Sequence, residues 1–440
     1  MKAMKIVLPI VMIAVLCLAW FSFATGTLSE FTAYRACMKD AEISMEEGLY
    51  EQAVEFYKES LGYKSLESTY MQIKDTYDLL YAEEHTPFIR NLYIEDMALA
   101  AEAFPKTELF WTTQIKLYNE ANNFSKAYSV AKKAQNYGIR GDELNSLYQE
   151  LLYKVKVDYS MYTTFKTALN GFITVSDGAN WFVLDDSGNT ITSNYQFAGL
   201  LNDEGKGLYT NSVDTRFLDM NEIPRARFDI TVEEAGYYNE QSDLLPVKMN
   251  GIWKYMKLDG SFLPGEFEIA GSFYDRQAVV MAGGTWSLID EEGKVKVLAG
   301  FEDIKLDLYG CHIQNGIVIA KKDGRYHLYD KEFNQIGNFG AEYIDICIDP
   351  DRIAFMSNGK WGFVDANGKV VYEPEFACAK SFSNGYAAVC NDQALWGFIR
   401  EDYTLVIGYQ FADAFYFTQA ETCMVSKTAG TVQMLQFMFD

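Results

Sequence analysis

Six times between residues 181 and 396 the chain repeats one short phrase, an apolar stretch led by an aromatic residue and closed on both sides by turn formers. The copies read SDGANWFVLDDSGN, MNGIWKYMKLDGS, AGGTWSLIDEEGK, KDGRYHLYDKEFN, SNGKWGFVDANGK and DQALWGFIREDYT. They place Trp181, Trp253, Trp286, Tyr326, Trp361 and Trp396 at steps of 72, 33, 40, 35 and 35 residues. Asn-Gly and Asp-Gly pairs supply the positive φ that tight hairpins require, so each copy reads as strand, turn, strand. A unit of this length cannot bury both faces, and copies must stack or close on one another. The double step after Trp181 hides a worn copy, placed at VDTRFLDMNE around Phe217, and KTAGTVQMLQFM forms a worn copy at the end. That makes seven units, with the last stretch as an eighth.

A second feature keeps the same phase. Stretches such as YQFAGL, GEFEIAGSF, AGFEDI, AEYIDI, PEFACAKSF and YQFADAFYF follow the aromatic strands and set Phe197, Phe267, Phe301, Tyr343, Phe376 and Phe411 in equivalent places. The recurring Trp is read as the filler of a repeating core. With NGKWGFVDANGKVV, LWGFI and the connector PEFACAKSF, the segment 165–440 resembles the WG-repeat family, found widely in bacterial envelope and secreted proteins. Only Trp361-Gly362 and Trp396-Gly397 keep the literal dipeptide. The resemblance implies a β-repeat interaction or binding module without a catalytic motif. The expected form is a propeller-like ring of three- or four-stranded blades, since closure removes exposed edges, with an open β-solenoid as the alternative.

Before the repeats, residues 30–160 carry helical signals, with apolar residues at spacings of three and four. EEGLYEQAVEFYKESL and WTTQIKLYNEANNFSKAYSVAKKA set small residues (Ala53, Ala127, Ala131) among aromatics, which resembles the tetratricopeptide repeat and implies about three helical hairpins with periods near 37. Gln114-Ile115 stands where that family places Leu-Gly. An unrelated helical bundle is the competing reading.

Residues 1–29 open with Lys2 and Lys5 before an uncharged run from Ile6 to Ala24, with Trp20 near its outer end. The run is long enough to predict a single membrane anchor with a cytoplasmic N-terminus and the bulk of the chain extracytoplasmic. A signal peptide cleaved after Ser22-Phe23-Ala24, giving a secreted protein, is the alternative. The multidomain expectation is therefore an anchor over 1–29, a tetratricopeptide-like helical domain over 30–160 and an all-β WG-repeat domain over 161–440.

Formal charge is −23, and the stretch after residue 157 holds 40 acidic against 22 basic side chains. Nucleic acid is excluded as the main partner because phosphate binding needs clustered cations; a basic protein or a cation suits this surface. Seven cysteines include no C-x-x-C pair, so a zinc site is unsupported. No hydrolase, nucleotide or metalloprotease motif occurs, and only His85, His312 and His327 are available as histidines. His85 and His327 read as structural or solvated; Cys311 and His312, adjacent on an extended segment, point apart. The acidic turns DDSG, DEEG and DANG, with Asp365 and Asn367 as the clearest example, suit hairpin turns better than calcium, because no twelve-residue loop ending in a bidentate Glu accompanies them. No catalytic, cofactor-binding or metal residue is nominated and no cofactor is implied. The function predicted from sequence is a membrane-anchored scaffold at the cell envelope that binds protein or peptide partners. The alternatives are a cell-wall glycan-binding module and a propeller-type glycan-processing enzyme.

Overall fold

The computed structural model describes residues 29–167 and 169–439. They divide into a helical unit that ends at Lys154 and a β unit from Val155 to Met438. In the first, α1 (29–46), α2 (Tyr50–Tyr63), α3 (Glu67–Glu83), α4 (Pro87–Ala103), α5 (Glu108–Glu120), α6 (Phe124–Asn136) and α7 (Asp142–Leu152) follow one another across short turns. The second helix of each of the first three pairs starts at Tyr50, Pro87 and Phe124, a step of 37 residues each time. Pro87 suits its place at the first helical position, where an unpaired N–H is tolerated, and Thr86 caps the helix by accepting from Ile89 N at 3.2 Å. Ala53, Ala127 and Ala131 are fully buried and let helices approach closely. Gln114 is buried too, its Nε2 donating to Phe110 O at 2.9 Å and to Met97 O at 3.2 Å, so the amide ties α5 to α4.

The anchor predicted over 1–29 lies outside the described residues apart from Ser29, the first residue of the described part of α1. Among the described residues no helix is long and apolar enough to cross a membrane. The physical reason is visible in α4, whose 17 residues include Arg90, Glu95, Asp96 and Glu102. The membrane-anchored description, with its single-pass location and its membrane partner, is corrected to a helical array followed by a β-propeller.

The β unit consists of eight antiparallel sheets of three or four strands, each drawn from a contiguous stretch of chain except one. The exception closes the ring. Val155–Val157 pairs with Gln433–Phe437 in the register Val155↔Phe437, Lys156↔Gln436 and Val157↔Leu435, so the last blade takes its outermost strand from the start of the unit. Tyr162, Ile173 and Val175 of the first blade share a buried cluster with Met424, Val432 and Met434 of the last, and Phe165 meets Phe415 edge-on at 4.7 Å. A solenoid would leave both ends unpaired, and the structure is an eight-bladed propeller instead.

Within a blade the repeated phrase is the third strand, counted outward from the ring axis. Pairing registers put Thr215, not Phe217, at the Trp position of the second blade, and Val432 at that of the eighth. The worn copies lack the aromatic marker because a hydroxyl residue and an aliphatic one stand in its place. The aromatic of the phrase fills the core only in some blades: Trp286 and Tyr326 are buried, whereas Trp181, Trp253, Trp361 and Trp396 are only partly buried. The residues two positions later, Val183, Phe217, Tyr255, Leu288, Leu328, Phe363, Phe398 and Met434, are all buried. Among the connector aromatics, Phe267, Phe376 and Phe411 lie opposite the Trp at the blade edge, whereas Phe197, Phe301 and Tyr343 sit further along, on the next blade's inner strand.

Gly362 and Gly397 have a steric reason. The outer strand bulges across them, and a Cβ at Gly362 would stand 2.5 Å from Tyr372 O and 2.8 Å from Pro374 N, while one at Gly397 would stand 2.5 Å from Ile407 O. In the fifth blade His327 takes the equivalent place and Gly340 of the facing segment supplies the room, with His327 Nδ1 2.8 Å from Phe339 O. The neighbouring turns are closed by their own carboxylates: Asp365 Oδ1 accepts from Asn367 N and Lys369 N, both at 2.9 Å, and Asp185, Asp290 and Asp330 repeat the arrangement. Gly362→Ala is expected to destabilise the chain by about 2–3 kcal/mol, because the clash is with backbone and cannot be relieved by a rotamer change. Urea unfolding followed by tryptophan fluorescence checks this, and Gly359→Ala, which meets only the cost of its φ of 71°, is the comparison.

Candidate binding site at the mouth of the ring

On the inner strands one position faces the channel in every blade: Lys166, Gly199, Gly236, Gly271, Lys305, Asp345, Lys380 and Phe415. Seven of these donate their main-chain N–H to the second strand in the same way, from Gly199 N to Leu208 O through Phe415 N to Met424 O, and Lys166 stands opposite Thr174. The second, third and fourth blades carry glycine here, and in the fourth the space is used. A Cβ at Gly271 would lie 3.0 Å from Gly310 O, an atom of a loop that enters the ring from the fifth blade.

That loop, LDLYGCHIQNG (306–316), is folded by its own carboxylate. Asp307 Oδ1 accepts from Tyr309 N at 2.9 Å and Cys311 N at 2.8 Å. Ser272 N donates to Gly310 O at 2.7 Å, and Tyr309 reaches across the ring, its hydroxyl accepting from Leu169 N of the first blade at 3.0 Å. Gln314 fastens the far end, donating to Lys305 O and accepting from Cys347 N at 2.8 Å. Burial drives the pKa of His312 down to about 4, and the neutral ring lies parallel to Phe333 with neither nitrogen hydrogen-bonded. Cys311 faces the cavity while His312 is buried behind it, so the two do not converge.

Above this loop lies a cavity of about 650 Å³ to which all eight blades contribute, among them Leu169, Asp203, Tyr237, Tyr274, Tyr309, Cys347, Asn384 and Gln419. Its lining holds two carboxylates, Asp203 and Asp307, three tyrosines and several amides, but no Lys, Arg or His. Asn239, Asn315 and Asn384 each donate to a carbonyl of the following blade, Phe273 O at 3.3 Å, Cys347 O at 3.0 Å and Thr418 O at 3.0 Å, which fixes the rim. Burial raises the pKa of Asp307 to about 7 despite its backbone hydrogen bonds, and holds the Cys347 thiol up at about 12.

The three histidines do not converge on one site. His85 sits on the helical unit, its Nε2 2.7 Å from Glu120 Oε1, His312 is enclosed and His327 is bound to a carbonyl. No group of three or more His, Cys, Asp or Glu that could hold a metal ion exists among the described residues. All six described cysteines are free thiols. The mouth itself was missed from sequence. One signal for it was present: the step from Trp286 to Tyr326 is 40 residues where its neighbours are 33 and 35, and the surplus is the loop that floors the cavity.

The family model "WG containing repeat" matches residues 361–393, from the third strand of the sixth blade into the seventh. The likeness read over 165–440 is thereby narrowed to one unit's length. Among solved structures, Kluyveromyces lactis Hsv2 aligns at 10% identity over 56% of this chain and 97% of its own, with a TM-score of 0.38. The β-propeller domain of Cps50 (Swd1) from Myceliophteria thermophila aligns at 9% over 64% and 98%, TM-score 0.34, and the Neurospora crassa Pan2 WD40 domain at 8% over 63% and 90%, TM-score 0.34. At those scores the likenesses carry no argument, and the propeller rests on this chain's own strand pairing. No curated protein matches the chain. Nothing in these comparisons places the chain in a bacterial envelope.

A carboxylate whose pKa is raised on folding makes the folded state most favourable when protonated, so its contribution is complete below the unfolded value near 4 and is lost as pH rises through about 7. Asp307→Asn keeps the acceptor oxygen and removes the titration. Its thermal midpoint is expected to exceed that of the unsubstituted chain at pH 8 and to converge with it near pH 4, which calorimetry at both pH values checks.

Proposed function

We propose that the protein is an interaction module whose propeller captures a cationic side chain of a protein or peptide partner in the mouth cavity. The observation that carries this reading is the pairing of Asp307, a carboxylate set deep in the cavity with its pKa raised to about 7, with a lining free of any basic residue. An ammonium or guanidinium entering the cavity would find a counter-ion that now lacks one, and Tyr237 and Tyr309, 4.8 Å apart edge to face, offer aromatic surface to its stem. The acidic excess of the β unit favours approach of a positively charged partner. A glycan is the second reading, favoured by the amide and hydroxyl groups of Asn239, Gln241, Ser383 and Gln419 around the rim. The cell-envelope anchor forms no part of either reading.

Isothermal titration of the full chain with acetyl-Ala-Arg-Ala-amide, acetyl-Ala-Glu-Ala-amide and chitotriose separates them. The arginine peptide is expected to bind about tenfold more tightly at pH 8 than at pH 6, following ionisation of Asp307, and Asp307→Asn is expected to abolish that difference. Binding of the sugar alone would favour the glycan; equal affinity for the arginine and glutamate peptides would reject the role of Asp307.

A further inference from the structure

On the other side of the fifth-blade loop the channel widens into a second cavity of about 570 Å³ between blades eight, one and two; Leu308 lines both. Its only basic residue is Lys166. Three lysines occupy the channel-facing position of the inner strands, and two of them have partners. Lys380 lies 3.7 Å from Asp413, and Lys305 donates to the Tyr343 hydroxyl. Lys166 differs. Its ammonium stands 4.2 Å from the ring centre of Phe197 and 5.1 Å from that of Trp181, and among the described residues no carboxylate lies within ion-pairing distance. The acids that face this region are engaged elsewhere: Glu234 by Lys248 at 2.6 Å, and Asp413 by Lys380.

Contacts with aromatic faces are worth roughly 0.5–2 kcal/mol each, while withdrawing an unpaired ammonium from water costs several. Burial accordingly brings the pKa of Lys166 down to about 8, with Glu234 opposing the shift. The hydroxyl-bearing residues Thr164 and Ser426 line the same cavity. We propose that this second cavity binds a carboxylate, with the Lys166 ammonium as its counter-ion and the hydroxyl-bearing wall as the supporting surface. The ligand chemistry is that of a small free dicarboxylate or of an acidic peptide side chain. The site uses none of the mouth residues except Leu308, so the two proposals stand or fall separately.

Competitive labelling of the full chain tests it. Acetic anhydride at pH 8 modifies lysines in proportion to their free amine, and peptide mapping by mass spectrometry reports each one. Succinate or acetyl-Ala-Glu-Ala-amide is expected to slow modification of Lys166 at least fivefold and to leave the exposed Lys331 unchanged; protection by one and not the other identifies the source. Lys166→Met is expected to abolish the calorimetric signal of the protecting ligand while its thermal midpoint stays at or above that of the unsubstituted chain. Absence of protection by either carboxylate would overturn the proposal, as would unchanged binding to Lys166→Met. A lowered midpoint in Lys166→Met together with absent protection would assign the lysine a purely structural role. The labelling needs no variant, so the outcome does not depend on whether the substitution folds.

Discussion

Three residues of backbone pairing hold the β unit together as a ring. When Val155–Val157 lies against Gln433–Phe437, the eighth sheet gains its fourth strand and the first and last blades are brought into one buried cluster. Each blade contributes an apolar face that only a neighbour can cover, so a break at this seam would expose two faces at once and leave two sheet edges open. The channel, its floor and both cavities exist because the seam is closed. The pairing joins Val155 to Phe437, from opposite ends of the β unit, and local pattern says little about such a contact.

The ring then creates environments that its residues do not have singly. Asp307 performs the same service for its loop that Asp365 performs for an ordinary hairpin, with one carboxylate oxygen accepting two amides. The hydrogen bonds of Asp365 are exposed at a hairpin turn; those of Asp307 are part-buried in the channel loop, where burial lifts its pKa to about 7. A charged group kept in such a place lowers stability above neutral pH. Lys166 carries the same logic with the opposite sign on the far side of the loop.

Much of the architecture was legible in the order of residues. The alternation of turn formers and apolar runs marked the strands, and the fixed phase of Trp253, Trp286, Trp361 and Trp396 marked a repeat. The 37-residue step of the helical segment is written in its small and aromatic residues, because helix packing needs both at fixed spacing. What misled was identity in place of position. The Trp drew attention as the core filler, yet the pleat places the residue two further on at the centre of the blade face, and copies whose Trp became Thr215 or Val432 keep the fold because that inner residue, Phe217 or Met434, stayed large and apolar. The charge and apolar run at the N-terminus argued for an anchor, but the described helices are amphipathic and pack in an array.

The sequence by itself determined the two kinds of repeat, the turn chemistry that closes each hairpin and the acidic balance of the β unit. These follow from φ preferences, period and charge, which are local or additive. The tertiary structure alone decided that eight units close, that the longer fifth unit folds inward, and that Asp307 and Lys166 lose water without gaining a counter-ion. Burial and the absence of a partner depend on what every other blade places around the axis, and no stretch of chain contains that information.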